Sequence, residues 1–232
     1  MAQLGNIYLI PNTLGGESVN DILPSDVQQI ATNLRYFAVE EIKSARRLLR
    51  KMDRSFPIDD SQFFIINKHT KESDLMKILM ILIKGENIGI ISEAGCPGVA
   101  DPGAVIVKLA HEKGIQVIPL VGPSSILLAM MASGMNGQSF TFNGYLPIDK
   151  GEKKSALKNL EKLSFDKNQS QIFIETPYRN NKLLEDILQT LQPATHLCIA
   201  TDITLPTEYI KTLRVADWKK TKVDLHNRPT IF

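Results

Sequence analysis

The sequence predicts an α/β protein made of two small α/β domains with a ligand cleft between them. Three observations lead there. Through the first 120 residues, short apolar runs alternate with helical periodicities of roughly 10–15 residues, the mark of crossover units and a mostly parallel sheet. After a polar G-M-N-G-Q stretch at 134–138 the alternation resumes more loosely. The length of 232 residues fits one large domain or two small ones. The boundary is placed in that stretch, giving an N-terminal domain 1–134 with a mostly parallel sheet and a C-terminal domain 135–232.

The elements follow in order. Residues 6–10 form an apolar run closed by Pro11, and 35–39 form a second. In 41–52, Ile42, Ala45, Leu48, Leu49 and Met52 recur at helical spacing. Residues 63–66 read as a strand. Ser73 and Asp74 can cap a helix running to Gly85. Strand 87–91, helix 103–113 and strand 116–120 complete the parallel pattern. A helix beginning near Gly122-Pro123-Ser124-Ser125 ends near Gly134. Then come strand 139–145, a charged helix 152–163, strand 171–175, helix 180–191 and strand 196–200. The closing R-P-T-I-F reads as a strand start.

Composition excludes several classes. Hydrophobic residues at 43% and charged residues at 22% are ordinary for a globular chain and argue against disorder. With 27 Lys+Arg against 25 Asp+Glu, any nucleic-acid contact must come from a local basic patch. The cysteines, Cys96 and Cys198, form no framework, which fits a reducing cytoplasm. No stretch approaches the ~18 apolar residues of a membrane helix, and the N-terminus (M-A-Q-L-G-N-I-Y-L-I-P) reads as an immediate strand rather than a leader. His69 (in N-K-H-T), His111, His196 and His226 have no ligand spacing, so no metal is expected. No G-x-S-x-G elbow supports a serine hydrolase.

The most informative segment is 92–103, S-E-A-G-C-P-G-V-A-D-P-G, directly after the apolar strand 88–91. Its glycines let backbone groups approach a ligand and its prolines fix the loop's shape. It sits where open α/β sheets bind ligands, and Pro102-Gly103 at a helix start is read as leaving free N–H donors. The loop P-N-T-L-G-G-E at 11–17 is neither a dinucleotide fingerprint nor a Walker loop and reads as a plain turn. Gly122-Pro123-Ser124-Ser125 serves equally as a helix cap or a source of hydroxyls for a ligand. Helix 41–54 carries Lys43, Arg46, Arg47, Arg50, Lys51 and Arg54, largely opposite its apolar face. This stripe, with a second cluster at Lys150, Lys153 and Lys154, is either a solvated surface or a phosphate-binding one.

Taken in order, P-N-T-L-G, S-E-A-G-C-P-G-V-A-D-P-G, V-G-P-S-S-I-L-L-A-M-M-A-S-G, F-T-F-N-G-Y-L-P and I-E-T-P-Y-R resemble the tetrapyrrole (corrin/porphyrin) methylase superfamily over nearly the whole chain. Within it the chain is most similar to the bacterial small-subunit rRNA ribose 2′-O-methyltransferases. The resemblance implies S-adenosyl-L-methionine held between the two domains, a homodimer and an RNA substrate, rRNA or the small ribosomal subunit. It implies that Pro11 borders the cofactor, that Glu93, Ala94, Gly95, Val99, Ala100 and Asp101 line its methionine and ribose portion, and that Ser124 and Ser125 follow. Tyr145, Leu146 and Pro147 would close over it, with Thr176 to Arg179 near the adenine or the substrate entrance, and Pro229 and Thr230 bordering the adenine. The chain departs from the relatives' pattern on the substrate side. Glu40-Glu41-Ile42-Lys43 stands for E-D-T-R, Glu175-Thr176-Pro177-Tyr178-Arg179 for E-S-P-H-R, and Thr201-Asp202-Ile203-Thr204-Leu205 for R-E-L-T-K.

A ribose hydroxyl is a poor nucleophile while protonated, so a base or a stabilising cation is needed. Glu40 and Lys43 are the expected catalytic pair, a salt-bridging pair at a helix start being the plain alternative. Arg46, Arg47, Arg50 and Lys51 are the expected RNA-binding residues. Two other functions remain open from the residues: methylation of a tetrapyrrole or other small molecule, and a non-catalytic cofactor- or RNA-binding homologue.

Overall fold

The computed structural model describes residues 4–16, 18–67 and 69–232. Met1–Gln3, Glu17 and Lys68, which belong to the N-terminal segment, the first loop and N-K-H-T, lie outside them. The chain divides into two compact units, 1–124 and 125–232.

The first unit is a parallel sheet covered on both faces. Its strands are β1 (Ile7–Ile10), β2 (Tyr36–Val39), β3 (Gln62–Ile65), β4 (Ile88–Ile91) and β5 (Val117–Pro119), in the order β3-β2-β4-β1-β5. Its helices are α1 (Ser25–Asn33), α2 (Ile42–Met52), α3 (Glu72–Ile83) and α4 (Ala104–Glu112). Side chains alternate across the pleat, so Ile10, Phe37 and Val39 join Ala31, Leu48 and Leu49 of α1 and α2 in one core. Ile7, Ala38, Ile88 and Ile90 join Ile78, Leu82, Ile106 and Ala110 of α3 and α4 in the other. Burial on both faces is why β4 reads I-G-I-I without alternation.

Two differences from the sequence reading have local causes. Helix α1 was not anticipated: it is mostly polar and buries only Val27 and Ala31. Helix α3 begins at Glu72, with no side-chain cap, so Ser73 and Asp74 lie within its first turn. There Asp74 pairs with Lys77 at 2.8 Å instead of capping.

The second unit contains α5 (Ser125–Ser133), β6 (Phe140–Tyr145), α6 (Lys150–Lys167), β7 (Ser170–Ile174), a 3-10 turn (Pro177–Arg179), α7 (Asn180–Thr190), β8 (His196–Thr201), β9 (Tyr209–Arg214), α8 (Val215–Trp218) and β10 (Thr230–Ile231). Its sheet is mixed, in the order β6-β7-β10-β8-β9, with only β6 and β7 parallel. The unit begins before α5, not at the polar stretch around Gly134. The reason is packing: α5 lies on β8, β9 and β10, Ala129 and Met130 are buried, and the Thr212 hydroxyl donates to the Ser133 carbonyl at 2.7 Å.

Trp218 anchors this second core. It is buried, and its Nε1–H donates to the Leu197 carbonyl at 2.8 Å. Trp218→Phe orphans that carbonyl, with an expected loss of about 2 kcal/mol read by denaturant unfolding. No helix among the described residues is long and apolar enough to cross a membrane.

Candidate functional site

Parallel strands deliver their carboxyl ends to one edge. Pro11, Glu40, the 92–103 loop and Gly122-Pro123-Ser124 are therefore neighbours in the first unit. Asn12 ties two of these loops together. It exchanges backbone hydrogen bonds with Gly95 (2.9 and 3.2 Å), and its Nδ2 donates to the carbonyls of Ser92 (3.1 Å) and Glu93 (2.9 Å). Its Oδ1 accepts from the Thr13 N–H at 2.8 Å. The segment read as a plain turn is thus the clamp of the site; the only signal was an Asn placed directly after a strand-ending proline.

The third loop is bound in as well. The Cys96 thiol lies 3.3 Å from the Pro123 carbonyl. Gly122 packs so closely on Pro11 that a Cβ there would stand 2.2 Å from the proline Cβ. Gly95 holds φ +69°, a conformation a side chain resists. Asp101 braces the loop from inside: its Oδ1 accepts from the N–H groups of Gly98 (3.0 Å) and Gly103 (2.7 Å). That corrects the expectation of free donors at the start of α4, since Asp101 already takes the Gly103 N–H. Ala100, at φ 55°, carries the strain of this bend.

The loop brings three carboxyl groups together. Glu40, half-buried at the end of β2, has its pKa pushed up to about 7. Burial contributes most, followed by a hydrogen bond to Asp101 and the negative charges of Asp101 and Glu93; the Glu93 N–H opposes them by donating to the carboxylate. Glu41 behaves differently. It caps α2, accepting from the N–H groups of Lys43 (2.8 Å) and Ser44 (2.6 Å), which holds its pKa low. Lys43 is exposed in the first turn of α2. In Asp101→Asn the loop keeps its acceptor but loses the charge beside Glu40. Carboxyl-carbon NMR should then show Glu40 titrating below 7; a midpoint unmoved from wild type would mean that Asp101 does not govern it.

The second unit gathers its own predicted residues. β6, β7 and β8 end at the edge where β10 begins, because β10 runs antiparallel to β7 and β8. Tyr145, Leu146, Pro147, Thr176, Pro229 and Thr230 therefore share that edge. Tyr145 is exposed and Leu146 buried. The Thr230 hydroxyl donates to that of Thr201 (2.9 Å), which donates to the Pro229 carbonyl (3.1 Å). Arg179 pairs with Glu175 and Arg228 with Asp202, both at 2.7 Å. Glu175 and Arg228 hold the two segments leading into this edge; the sequence reading placed Glu175 in a motif without a role of its own and missed Arg228.

The cations on α2 separate into two groups. Arg46 lies over the Phe63 ring, 5.2 Å from its centroid, and Arg50 donates to the Arg54 carbonyl. Arg47 and Lys51 instead line an open cavity of about 220 Å3, together with Asn12, Thr13, Ser44 and Glu93. In the second basic cluster Lys150 and Lys154 are exposed, whereas Lys153 is buried and pairs with Asp186 at 3.3 Å. His69 is an exposed loop residue. The second unit also holds an apolar cavity of about 90 Å3, where β7 and β8 diverge around the short β10, with Phe173, Leu197 and Phe232 on its lining. Among the described residues no three His, Cys, Asp or Glu side chains converge on a metal position.

Comparison with solved structures places this architecture. The methyltransferase CobJ superposes with a TM-score of 0.64 at 15% identity, covering 98% of this chain and 92% of that one. The uroporphyrin-III C-methyltransferase of Thermus thermophilus, solved with S-adenosyl homocysteine, gives 0.54 at 14% identity, covering 98% and 96%. The fold is that of the tetrapyrrole methyltransferases. No family model matches the chain. Curated sequences are more specific. The ribosomal RNA small subunit methyltransferase I of Buchnera aphidicola (subspecies Schizaphis graminum) is 30% identical over 206 residues, 89% of this chain and 68% of the relative. That of Vibrio cholerae is 28% identical over 211 residues, 91% and 69%. The chain belongs to the ribosomal RNA small subunit methyltransferase I family, as its motifs led us to expect.

Proposed function

We propose that the chain is an S-adenosylmethionine-dependent methyltransferase that acts on ribosomal RNA, with a ribose hydroxyl as acceptor. Family membership supports the reaction and the substrate class. The observation that carries the choice of a hydroxyl is Glu40. Alkylating a hydroxyl requires its proton to leave, and a carboxyl group titrating near 7 at the strand edge is matched to receive it.

The residues suit the cofactor. Glu40, Glu93 and Asp101 favour a cationic sulfonium, and Val99 offers 51% of its surface to an apolar ring. In this reading Pro11, Glu93, Ala94, Gly95, Val99, Ala100, Asp101, Ser124 and Ser125 hold it. Tyr145, Leu146, Pro147, Thr176, Pro229 and Thr230 contribute from the second unit. When bound, the cofactor supplies an electrophilic methyl group. The chain's own task is alignment, which can lower a barrier by about 7–11 kcal/mol, together with proton acceptance at Glu40. Lys43, one turn away at the start of α2, adds positive charge for the RNA backbone or the developing alkoxide. The free thiols of Cys96 and Cys198 support a cytoplasmic setting. The same reading includes a homodimer.

Tritiated methyl transfer onto RNA from cells lacking the protein tests the assignment. Label in ribose of small-subunit RNA supports it. Label only in small molecules would favour a tetrapyrrole-like acceptor, and cofactor binding without turnover would mean a non-catalytic homologue.

A further inference from the structure

The basic helix of the first unit does not present a uniform cationic stripe. Ser44, Arg47 and Lys51 fall at i, i+3 and i+7 and line one wall of the 220 Å3 cavity, while Arg46 and Arg50 are engaged elsewhere, on the Phe63 ring and the Arg54 carbonyl. The loops after β1 and β4 contribute the remaining lining, with Thr13 and Glu93. Those loops cannot shift independently, since Asn12 binds both. Lys51 reaches across the cavity rim to the Gly16 carbonyl at 3.2 Å, which holds the helix wall to the first loop.

We propose that this cavity is a subsite for a single RNA phosphodiester, seated against Arg47 and Lys51, with the attached ribose directed to Glu40. The inference rests on the reading of the chain as an RNA ribose methyltransferase and deepens it. Charge sets the orientation. A phosphate is attracted to the guanidinium and ammonium on the α2 wall and repelled from the Glu93 carboxylate. A ribose hydroxyl has the opposite preference, because it can donate to a carboxylate. Glu93 is also the residue whose N–H donates to Glu40, so the anionic end of the cavity adjoins the proposed base. Phosphate contacts of this kind fix register without reading sequence. The subsite therefore positions a nucleotide and leaves its identity to other contacts.

The test is binding of a short single-stranded ribo-oligonucleotide, followed by anisotropy with S-adenosylhomocysteine present, as a function of KCl. It compares wild type with Arg47→Ala, Arg47→Lys, Arg46→Ala and Arg50→Ala. Arg47→Ala should weaken binding about tenfold and flatten the log–log salt slope by about 0.7, the value for one phosphate contact on a single strand. Arg47→Lys should restore the slope, while Arg46→Ala and Arg50→Ala should leave it at the wild-type value. Equal effects at all three arginines, or an unchanged slope in Arg47→Ala, would overturn the subsite. Methyl transfer to RNA by the wild-type chain is scored separately. If it persists while Arg47→Ala keeps the wild-type slope, the subsite fails and the methyltransferase reading stands. If it is absent while the Arg47-specific slope change appears, the reading fails and phosphate binding stands.

Discussion

Replacing Glu40 with glutamine should lower the turnover number of methyl transfer about 10²–10⁴-fold and remove its dependence on pH around neutrality. In the wild type, activity should rise through about pH 7 as Glu40 loses its proton, because only the carboxylate can accept one from a hydroxyl. Affinity for S-adenosylhomocysteine should survive, since a glutamine keeps the volume and hydrogen-bonding capacity of the site. A pH–rate profile of the variant that retains the wild-type acidic limb would remove Glu40 from the chemistry. The same shift has a consequence for stability. The folded chain holds the Glu40 proton more tightly than the unfolded chain, whose group titrates near 4.5. Folding is therefore favoured below about 4.5 by this group, and that contribution is lost as pH rises towards 7. Glu40→Gln escapes the loss and should be more stable than wild type at pH 8, by on the order of 1 kcal/mol once solvent screening is allowed for. Losing activity while gaining stability is the signature of a residue kept for function.

The second large effect is expected at Gly122. A methyl group there would stand 2.2 and 2.3 Å from the Cβ and Cγ of Pro11, atoms of a rigid ring with nowhere to swing. One of the two loops must move, and overpacking of this kind typically costs about 1–3 kcal/mol. Because both loops border the proposed cofactor seat, Gly122→Ala should also abolish detectable calorimetric uptake of S-adenosylhomocysteine. Gly98→Ala is the informative companion, since a Cβ there meets nothing within 4 Å and only the backbone at φ +80° resists. It should lose about 1 kcal/mol and keep its binding. Unaltered uptake in Gly122→Ala would show that the Pro11–Gly122 junction does not shape the site.

The legible parts of this molecule were those in which burial or backbone shape dictates residue type. β4 must be apolar on both faces, and the 92–103 loop carries glycine at two of its three positive-φ positions, Gly95 and Gly98, with Ala100 at the third. Both requirements are written locally, so the strand, the loop and the parallel sheet around them could be read directly. α1 was hidden because an exposed helix needs few apolar residues, and β9 because an outer strand alternates with polar side chains. The unit boundary was misjudged because glycine and asparagine mark a bend whether or not the chain leaves a domain there; what decides is the sheet on which α5 packs. Asn12 and the Glu40–Asp101 pairing were out of reach for a different reason. Their roles exist only once strands distant in sequence lie side by side. The stripe on α2 was read as one surface, and only the positions of Phe63 and Arg54 divide it.

The position of β10 bears on how the protein is made. All five strands of the first unit lie within residues 7–119, so that unit can collapse before the residues that follow it have been made. The second unit has no such opportunity. β7 and β8 must wait for Thr230 and Ile231, 29 residues beyond the end of β8, to wedge between them before the backbone donors and acceptors that face each other are satisfied. A molecule in which β10 docks late would thus present one finished half and one with an unzipped middle, the state most prone to capture by chaperones or by neighbouring chains.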